Sequence, residues 1–480
     1  MKNRALYIPL ITSIVSAFAL VILASPKTEI ETKPKEGAIR VLFLGHDSEH
    51  HNSNKYYPML AKGLGSDAIY FDYVTSVEEA LGDATFLGKF DALLLYANHG
   101  TITPNQWKNL KDYVEGGGGF VPVHCASWCF GNEPAFDQLV GGRFDSHKVG
   151  TFTSKVVDPQ HPAMEGVKEF EAWDETYKHK NHNEKDRQVL MVREVEGKDD
   201  NITEPEPWTW VRTQGKGRVF YTASGHDERV WKQPAFHQLL KAGILWSVGK
   251  ERKQSYEEFI AERAPLKYEK RGDIANYENR PEPLPYQFPL KAEDSMKYTQ
   301  APVGFRLELF ASEPDIINPI GLAWDERGRL WAAETVDYPN EMTPDRVGND
   351  KIKILEDTDG DGKCDKVTVF ADGLNIPTSL TFSRGGIIVA HVPDFLFLKD
   401  TDGDDKADVR EVLNTGWGTG DTHAGPSNLR YGFDNWIWGA VGYSSYSGVV
   451  GGEQKRFGSG VFRMKPDGSA LEFMHQFNNN

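Results

Sequence analysis

Hydrophobic and polar positions form a repeating block pattern along residues 38–250. Short apolar runs alternate with segments of helical periodicity, and this order predicts an open parallel sheet with helices on both faces. The predicted strands are AIRVLFLG, AIYFDYV, FDALLLYAN and FVPVH, and the helices include YYPMLAKGLG, VEEALG and a segment from Thr103 to about Glu115. A further strand in KGRVFYTASG and a closing helix complete an α/β domain that ends near Lys250.

The pattern changes after this domain. Residues 251–300 begin as a charged helix and then become rich in proline, which predicts an interdomain linker. From residue 301 to residue 480, short apolar runs separated by glycine-containing turns predict an all-β domain.

The all-β domain contains an internal repeat. The segments ILEDTDGDGKCDKVTVFADGL (354–374) and FLKDTDGDDKADVREVLNTGW (397–417) align without a gap. A repeat of roughly 40–50 residues with several strands per unit is typical of a β-propeller. About three units are present, whereas propellers typically have four or more blades. We therefore expect an incomplete propeller, either because the chain is a fragment, which we favour, or because something else completes it.

The N-terminus has a short basic segment followed by nineteen uncharged residues, Ala5 to Leu23. This pattern predicts export, with a periplasmic or membrane-anchored protein that faces away from the cytoplasm. Residues 1–25 can be a cleaved signal peptide or a retained anchor, since about 20 apolar residues also span a bilayer. Residues 26–37 are a polar tether, and membrane contact is expected only through the N-terminal segment.

Composition restricts the class of partner. The formal net charge of −16 argues against nucleic acid and anionic lipid as ligands. Cations and neutral sugars suit this charge better, and the aromatic content of 12% provides rings that stack on sugar faces. Three cysteines cannot supply the disulfide framework of a small secreted domain.

The repeat also carries the pattern of a calcium loop. Carboxylates at alternating positions around a sharp turn are the oxygen ligands that Ca²⁺ prefers. The predicted ligands are Asp357, Asp359, Asp361 and Asp365 in the first loop and Asp400, Asp402, Asp404 and Asp408 in the second. Gly362 provides the turn in the first loop, but Asp405 stands at that position in the second and adopts a left-handed conformation less readily. We expect both ions to stabilise the propeller.

Histidines are concentrated in the α/β domain, which has eleven of the fourteen in the chain. Four of them, His46, His99, His124 and His226, follow predicted strands. Because ligands bind beyond the carboxyl ends of the strands in open α/β sheets, these side chains can converge on one crevice. Such a cluster suits proton transfer or a divalent metal.

Several motifs in residues 38–250 together resemble the trehalose-utilisation, or ThuA-like, family. They are GHDSEHH, NHGTITPNQWKNLKDYVEGGGGFVPVHCAS, GGRFDSHKVG, HPAMEGVKEFEAWDETY and PWTWVRTQGKGRVFYTASGHDERVW. The resemblance implies a flavodoxin-like sheet related to class I glutamine amidotransferases. It also implies a role in sugar catabolism, including that of keto-sugars.

In the amidotransferase relatives, a cysteine nucleophile follows the strand that FVPVH matches. The same alignment places His124 at that position and Cys125 one residue later, which argues against a Cys-His-Glu amidase. The resemblance instead favours five catalytic candidates, namely His46, His124, His147, Glu175 and His226. Trp173 and Tyr177 are candidates for sugar contacts or for core packing.

The all-β domain resembles membrane-bound dehydrogenase propellers, which are related to soluble sugar dehydrogenases. The motifs are NPIGLAWDERGRLWAAE, KILEDTDGDGKCDK and DTHAGPSNLRYGFDNWIWGAVGYS. The resemblance implies a central ligand site with His423, Asn428 and Arg430. By analogy only, it implies pyrroloquinoline quinone as cofactor and an electron-acceptor protein as partner.

Two hypotheses follow. In the first, the protein is an exported carbohydrate-processing enzyme whose α/β domain acts on a sugar or keto-sugar and is coupled to a dehydrogenase-like propeller. In the second, it is a non-catalytic cell-surface module that binds glycan and has a calcium-stabilised propeller. The sequence leaves open the substrate and which domain is catalytic.

Overall fold

The computed structural model describes residues 37–478 except 196–199, 274–278, 280, 283–284 and 341. The chain forms two compact units, Met1–Arg263 and Ala264–Asn480. No helix among the described residues is long and apolar enough to cross a membrane. The predicted export segment lies outside the described residues.

The first unit alternates strands and helices. Its strands are β1 (Ile39–Leu44), β2 (Ile69–Val74), β3 (Ala92–Leu95), β4 (Gly119–Pro122), β5 (Arg143–Ser146), β6 (Val149–Thr153), β7 (Lys155–Val156), β8 (Glu171–Glu175), β9 (Lys178–Lys180), β10 (Arg187–Arg193), β11 (Glu206–Gln214) and β12 (Gly217–Thr222). Its helices are α1 (Ser53–Gly65), α2 (Val77–Leu81), α3 (Ala84–Leu87), α4 (Pro104–Glu115), α5 (Pro134–Val140), α6 (Glu228–Trp231), α7 (Pro234–Ser247) and α8 (Lys250–Ala261).

Eight strands form the central sheet in the order β2-β1-β3-β4-β12-β11-β10-β7. The first five strands are parallel, as the apolar runs predict, and this part fits a flavodoxin-like fold. The last three strands are antiparallel, so the sheet is mixed rather than wholly parallel. The change of direction occurs at a tight turn, Gly215-Lys216, because a two-residue hairpin can join only antiparallel strands.

The parallel strands form the core of the first unit. All four residues of β3 and of β4 are buried, as are five of the six in β1. The helix α4 shows how local sequence fixes these elements: Thr103 and Gln106 form a reciprocal capping box, and Pro104 occupies the first turn.

The first unit extends further than the predicted linker boundary at residue 251. Arg252, in α8, donates hydrogen bonds to the Asp91 carboxylate (3.0 Å) and to the carbonyl oxygen of Ala38 (2.8 Å). Tyr256 donates to the carbonyl oxygen of Asp67 (2.6 Å). These contacts anchor α8 beside the sheet, so the charged helix belongs to the α/β unit.

The second unit begins with a small hairpin of β13 (Tyr268–Lys270) and β14 (Pro285–Gln287), followed by α9 (Ala292–Met296). Three four-stranded antiparallel sheets follow. They consist of β15 (Pro319–Trp324), β16 (Leu330–Glu334), β17 (Asp350–Glu356) and β18 (Lys366–Leu374); β19 (Pro377–Ser383), β20 (Gly386–His391), β21 (Asp394–Lys399) and β22 (Val409–Thr415); and β23 (Pro426–Tyr431), β24 (Ile437–Val441), β27 (Gly460–Met464) and β28 (Leu471–Gln476). A hairpin of β25 (Tyr446–Val450) and β26 (Glu453–Phe457) is inserted in the third sheet.

Apolar side chains join neighbouring sheets of the second unit. One cluster, which includes Trp331 and Ile387, lies between the first and second sheets. Another, which includes Phe395 and Trp417, joins the second sheet to the third. The second unit is therefore held together by successive layers between small sheets.

Candidate functional site

The loops after β1, β4 and β12 and the end of β8 bring three histidines and one glutamate together. His51, His124, Glu175 and His226 each offer a nitrogen or carboxylate oxygen, and these atoms all lie within 4.8 Å of one another. We call these four residues the inner cluster. The loops that follow β1, β4 and β12 meet at the carboxyl edge of the parallel sheet, where α/β folds bind their ligands.

His124 occupies a sharp turn directly after β4. Its φ of 50° lies in the left-handed region, and a 3₁₀ helix, His124–Trp128, begins at the same residue. Gly225 lies against this turn, with a φ of 137°, and a Cβ there would be 3.2 Å from the His124 Cβ. A side chain at residue 225 would therefore be strained and would press on the turn.

Glu175 is the centre of the inner cluster. Its Oε2 atom lies 3.2 Å from His124 Nε2 and 3.5 Å from His51 Nε2. Its Oε1 atom lies 3.2 Å from His226 Nδ1 and 3.6 Å from His147 Nε2. The side chains of Glu175, His51 and His124 are at most 6% exposed, so one buried carboxylate faces four imidazoles.

The environment sets the charge of the inner cluster. Burial acts to raise the pKa of Glu175, but the close imidazoles of His124, His226 and His51 outweigh it and hold that pKa below its usual range. Burial lowers the pKa of His51 to about 3, although Glu175 opposes this shift. Burial also acts to lower the pKa of His226, but the Glu175 carboxylate reverses the shift and raises it. Glu175 is therefore ionised and His51 neutral at neutral pH.

Neighbouring groups fix the orientation of His124. Its Nδ1 atom lies 2.6 Å from the carbonyl oxygen of Ala223 and donates to it. The ring of Tyr177 stacks on the imidazole, with 4.1 Å between ring centroids. Because the proton is on Nδ1, Nε2 presents its lone pair to the inner cluster whenever His124 is neutral.

Asp174 holds the loop that carries His226. Its carboxylate accepts hydrogen bonds from the backbone amides of Gly225 (3.0 Å) and His226 (3.1 Å). Burial raises the pKa of Asp174, although these amides oppose the shift. The adjacent acids in WDETY therefore have different roles, since one fixes backbone and the other contacts imidazoles.

A second buried network supports the turn at His124. Glu206 and Tyr221 contact the two ring nitrogens of His179, each at 2.9 Å. The Tyr221 hydroxyl group also lies 3.1 Å from the carbonyl oxygen of His124 and 3.0 Å from Ser127 Oγ. This network positions the turn and does not contact the inner cluster through side chains.

A cavity of ≈ 290 Å³ opens beside the inner cluster. Its lining combines imidazole, carboxylate, amide and aromatic groups from His50, His51, Asn98, Trp128, Phe144, His147, Glu175 and Tyr177. The imidazoles of His50 and His51 lie 4.0 Å apart between centroids, and Trp128 is 43% exposed. The cavity thus offers proton-transfer groups and flat apolar faces on the same side of Glu175.

Comparison with protein families separates the two units. Residues 40–247 match the family described as trehalose utilisation, ThuA. We call this matched region of the first unit the ThuA-like domain. Residues 291–480 match a domain of unknown function, DUF7133.

The ThuA-like domain also has similar solved structures. A ThuA-like protein from Bacteroides uniformis is 20% identical, with a TM-score of 0.40, and the match covers 46% of this chain and 96% of that one. One from Parabacteroides merdae is 19% identical, with a TM-score of 0.39 and coverage of 44% and 90%. A cytoplasmic protein from Salmonella typhimurium is 18% identical, with a TM-score of 0.32 and coverage of 43% and 96%. No curated protein matched the chain.

The ThuA-like domain brings together four of the five predicted catalytic residues. His124, Glu175 and His226 belong to the inner cluster, and His147 lies beside it at the cavity. His46 is separate: its Nε2 atom donates to the carbonyl oxygen of His51 (2.9 Å), and its Nδ1 atom accepts from the backbone amide of Asn98 (3.2 Å). Both nitrogens of His46 therefore hold the loop, and neither faces the cavity.

The predicted sugar contacts divide between cavity and scaffold. Tyr177 lines the cavity, whereas Trp173 packs under the Arg229 guanidinium group, 3.4 Å from the ring centroid, and contacts His226. Cys125 is 1% exposed, and burial raises the pKa of its thiol well above the ordinary value. The Cys125 thiol is therefore protonated and enclosed by protein, unlike the thiol of a nucleophilic cysteine.

Sequence reasoning missed His51 and His50. Both lie in the GHDSEHH motif, but on the loop well past the end of β1, so their position after a strand gave no signal. His51 turns into the inner cluster with a φ of 53°. The paired histidines just before the Asn52 cap of α1 were the available signal.

In the second unit, the Asp-rich loops place three carboxylates together. Ligand atoms of Asp357, Asp359 and Asp361 lie within 4.8 Å of one another, as do those of the corresponding residues Asp400, Asp402 and Asp404. The fourth predicted ligand of each loop lies outside its group of three carboxylates. Asp365 accepts a hydrogen bond from the hydroxyl of Thr358 (2.9 Å), and Asp408 lies in the same way against Thr401.

The position that differs between the two loops has the same backbone conformation. Gly362 has a φ of 87° and Asp405 a φ of 62°. The Asp405 carboxylate accepts two hydrogen bonds from Arg329 Nη1, each 2.9 Å long. This ion pair accounts for an aspartate where the first loop has glycine.

The three predicted ligand residues of the second unit share one cavity. His423, Asn428 and Arg430 line a space of ≈ 290 Å³ with residues of β15 and β19. His423 Nδ1 lies 2.9 Å from Asp421 Oδ1, and Asn428 has a φ of 56°. All three side chains are exposed. Their cavity lies beside β15, β19 and β23, which are the first strands of the three consecutive sheets.

Proposed function

We propose that the ThuA-like domain is a carbohydrate-processing enzyme and that the inner cluster with its cavity is the active site. The ThuA-like match supports a carbohydrate-related role in general. The observation that carries the proposal is the contact of one buried carboxylate, Glu175, with four imidazoles at the base of a cavity.

The cavity suits a sugar or keto-sugar. Trp128, Phe144 and Tyr177 supply aromatic surface for the apolar faces of a sugar ring. His50, His147 and Asn98 supply polar groups for its hydroxyls. This pairing of aromatic and hydrogen-bonding groups in a small cavity supports a sugar as the substrate.

The chemistry that fits this arrangement is proton transfer at a carbon next to a carbonyl group. His147 takes the proton from carbon, and the electron pair moves to the carbonyl oxygen. Imidazole N–H groups that line the cavity stabilise the negative charge on that oxygen, and the proton returns to oxygen or to the neighbouring carbon. Hydrolysis of a keto-glycoside uses the same groups. The intermediate expels the glycosidic oxygen, which takes a proton from the protonated His147 and leaves as the alcohol, and water then adds to the enone that remains.

Exchange of carbon-bound hydrogen tests this proposal whichever product the reaction forms. The full chain is incubated in deuterated buffer with aldoses, ketoses and 3-keto-glycosides, and deuterium incorporation is followed by NMR. We expect incorporation with the unmodified protein and its loss in His147→Gln and Glu175→Gln. His161→Gln is the matched control because His161 packs on Trp246 and caps a 3₁₀ helix. Undiminished exchange in both site variants contradicts the proposal.

A second proposal concerns the remainder of the chain. We propose that the protein is exported and that the second unit is a propeller-type domain with two structural Ca²⁺ ions. Consecutive four-stranded antiparallel sheets with shared apolar layers support the architecture. Clustered carboxylates support the calcium sites.

The cavity with His423, Asn428 and Arg430 favours glycan binding by the second unit, either beside a dehydrogenase activity or as a module without catalysis. Titration calorimetry with oligosaccharides tests it. Arg430→Ala is expected to weaken binding, and His475→Ala, a change elsewhere in the same unit, serves as the control. Equal affinity in both variants excludes this cavity as the binding site.

A further inference from the structure

We infer that His51, His124, Glu175 and His226 form a centre for one divalent transition-metal ion. The donor atoms are His51 Nε2, His124 Nε2, His226 Nδ1 and an oxygen of Glu175, all within 4.8 Å of one another. The inference shares its site with the proposed carbohydrate chemistry and names the cofactor of that site. It does not depend on which sugar is the substrate.

The contact between His124 and Glu175 requires a cation. His124 donates its Nδ1 proton to Ala223, so the Nε2 lone pair of the neutral ring points at a carboxylate oxygen 3.2 Å away. Two electron pairs at that separation repel each other inside a buried site. Either a proton or a metal ion must lie among these atoms.

Two further nitrogens in the cluster lack a conventional partner. Among the described residues, His51 Nε2 and His226 Nδ1 have no aligned hydrogen bond, although both are enclosed and both lie close to Glu175. A buried polar atom without a partner costs about 1–3 kcal/mol. One ion shared by three nitrogens and the carboxylate satisfies all of them together, whereas one proton satisfies a single pair.

The surrounding groups resemble the outer shell of a metal site. Ligating imidazoles usually donate their second nitrogen to a carbonyl or carboxylate, and Ala223 provides this acceptor for His124. The side-chain amide of Asn98 lies 3.2 Å from His51 Nδ1, and its oxygen has no hydrogen-bond partner among the described residues. Rotation of that amide directs its oxygen to Nδ1–H and leaves Nε2 free to bind the ion.

The donor set selects the class of ion. Three imidazoles and one carboxylate suit Zn²⁺, Fe²⁺ and related first-row ions, whereas Ca²⁺ and Mg²⁺ prefer oxygen ligands throughout. His50 and His147 lie on the cavity side and leave space there for water or a sugar oxygen. A bound ion in this position supplies a Lewis acid for the carbonyl group of a keto-sugar.

The test uses the full chain, stripped with a chelator and titrated with Co²⁺. Cobalt bound by imidazole in a low-symmetry site absorbs visible light, so its signal is distinguished from that of ions in the oxygen-only loops of the second unit. We expect one equivalent of strongly absorbing Co²⁺, displaced by Zn²⁺. Glu175→Gln and His124→Gln should each weaken its binding by about 100-fold or more, the upper range for loss of even an outer-shell partner.

His147→Gln is the matched control, because it removes an imidazole from the same cavity outside the inner cluster. It should retain the absorbing ion and lose turnover, which separates the metal from the proposed reaction. Circular dichroism establishes that each variant is folded. Absence of an absorbing equivalent in the unmodified protein, or equal affinity in folded Glu175→Gln and His124→Gln, overturns the inference. Metal binding without sugar turnover supports the inference and contradicts only the proposed function.

Discussion

The Nε2 atom of His124 lies 3.2 Å from Oε2 of Glu175, although the two residues are 51 positions apart in the sequence. A left-handed turn after β4 presents the imidazole, and the end of β8 presents the carboxylate. This contact joins the parallel sheet to a small peripheral sheet. The inner cluster therefore depends on both parts of the first unit.

Asn98 is expected to orient His51 for metal binding. Asn98→Leu removes the only side-chain amide that contacts His51 Nδ1 among the described residues and keeps a similar volume. The affinity for Co²⁺ should fall by about 10–100-fold, as for other outer-shell partners. Visible absorption titration measures this change. Asn105→Leu, on the exposed start of α4, should leave the affinity unchanged.

Cys125 should be dispensable for activity. Its thiol is buried and its pKa lies well above the ordinary range, so no thiolate forms near neutral pH. Cys125→Ala should retain deuterium exchange and turnover, and alkylating reagents should modify Cys364 first, because only that cysteine is partly exposed. Mass spectrometry locates the modified residue. Inactivation that tracks modification of Cys125 would instead favour the amidase hypothesis.

His391 should make the stability of the second unit fall in acid. Burial lowers its pKa from 6.5 to about 4, and Nε2 accepts a hydrogen bond from the Asn375 amide (3.0 Å). Because the unfolded chain then binds the proton more readily, stability is complete above pH 6.5 and is lost as pH falls towards 4. The loss at pH 5 is about 2 kcal/mol.

Calorimetry of the full chain measures this dependence from the transition of the second unit. His391→Gln should flatten the profile between neutrality and pH 5, since glutamine does not titrate. Arg410 and Arg346 also act to lower the pKa of His391, and Asp394 opposes them, so these three residues remain unchanged in the comparison. An unaltered pH slope in His391→Gln would assign the effect to other groups.

Calcium should raise the unfolding temperature of the second unit. Asp357 and Asp359 contribute ligand atoms to the first loop, so the double change to asparagine should remove part of the calcium-dependent increase. Asp365→Asn is the control, because the Asp365 carboxylate accepts a hydrogen bond from Thr358 and lies outside the group of three clustered carboxylates. The unfolding temperature of Asp365→Asn should be lower than that of the unmodified protein, and the difference should be the same with calcium and without it. Differential scanning calorimetry with calcium or a chelator distinguishes the two effects.

Much of the first unit could be predicted from sequence. The apolar runs identify β1 to β4, and the Thr103 cap fixes the start of α4. The antiparallel strand β11 could not, because the apolar residues of EPWTWVRTQ are interrupted by polar ones and do not form the continuous run of a buried parallel strand. Strand direction was set by the Gly215-Lys216 turn and not by hydrophobicity.

From the residue pattern alone, residues of the site could be predicted only where they follow a strand of the parallel sheet. His124 and His226 follow strands of the parallel sheet, so their convergence could be inferred. His46 and His51 show the limit of such inference, since both lie after β1 and only backbone contacts and a φ of 53° decide which one enters the cluster. Such contacts depend on tertiary structure and leave no periodic signal.

A crystal structure of zinc-loaded protein, with anomalous data at the zinc edge, shows directly whether the inner cluster binds a metal ion. We expect an anomalous peak among His51 Nε2, His124 Nε2, His226 Nδ1 and the Glu175 carboxylate, and a weaker peak in crystals of Glu175→Gln soaked at the same low zinc concentration. Zinc-loaded crystals without a peak at these four residues would contradict metal binding by the inner cluster.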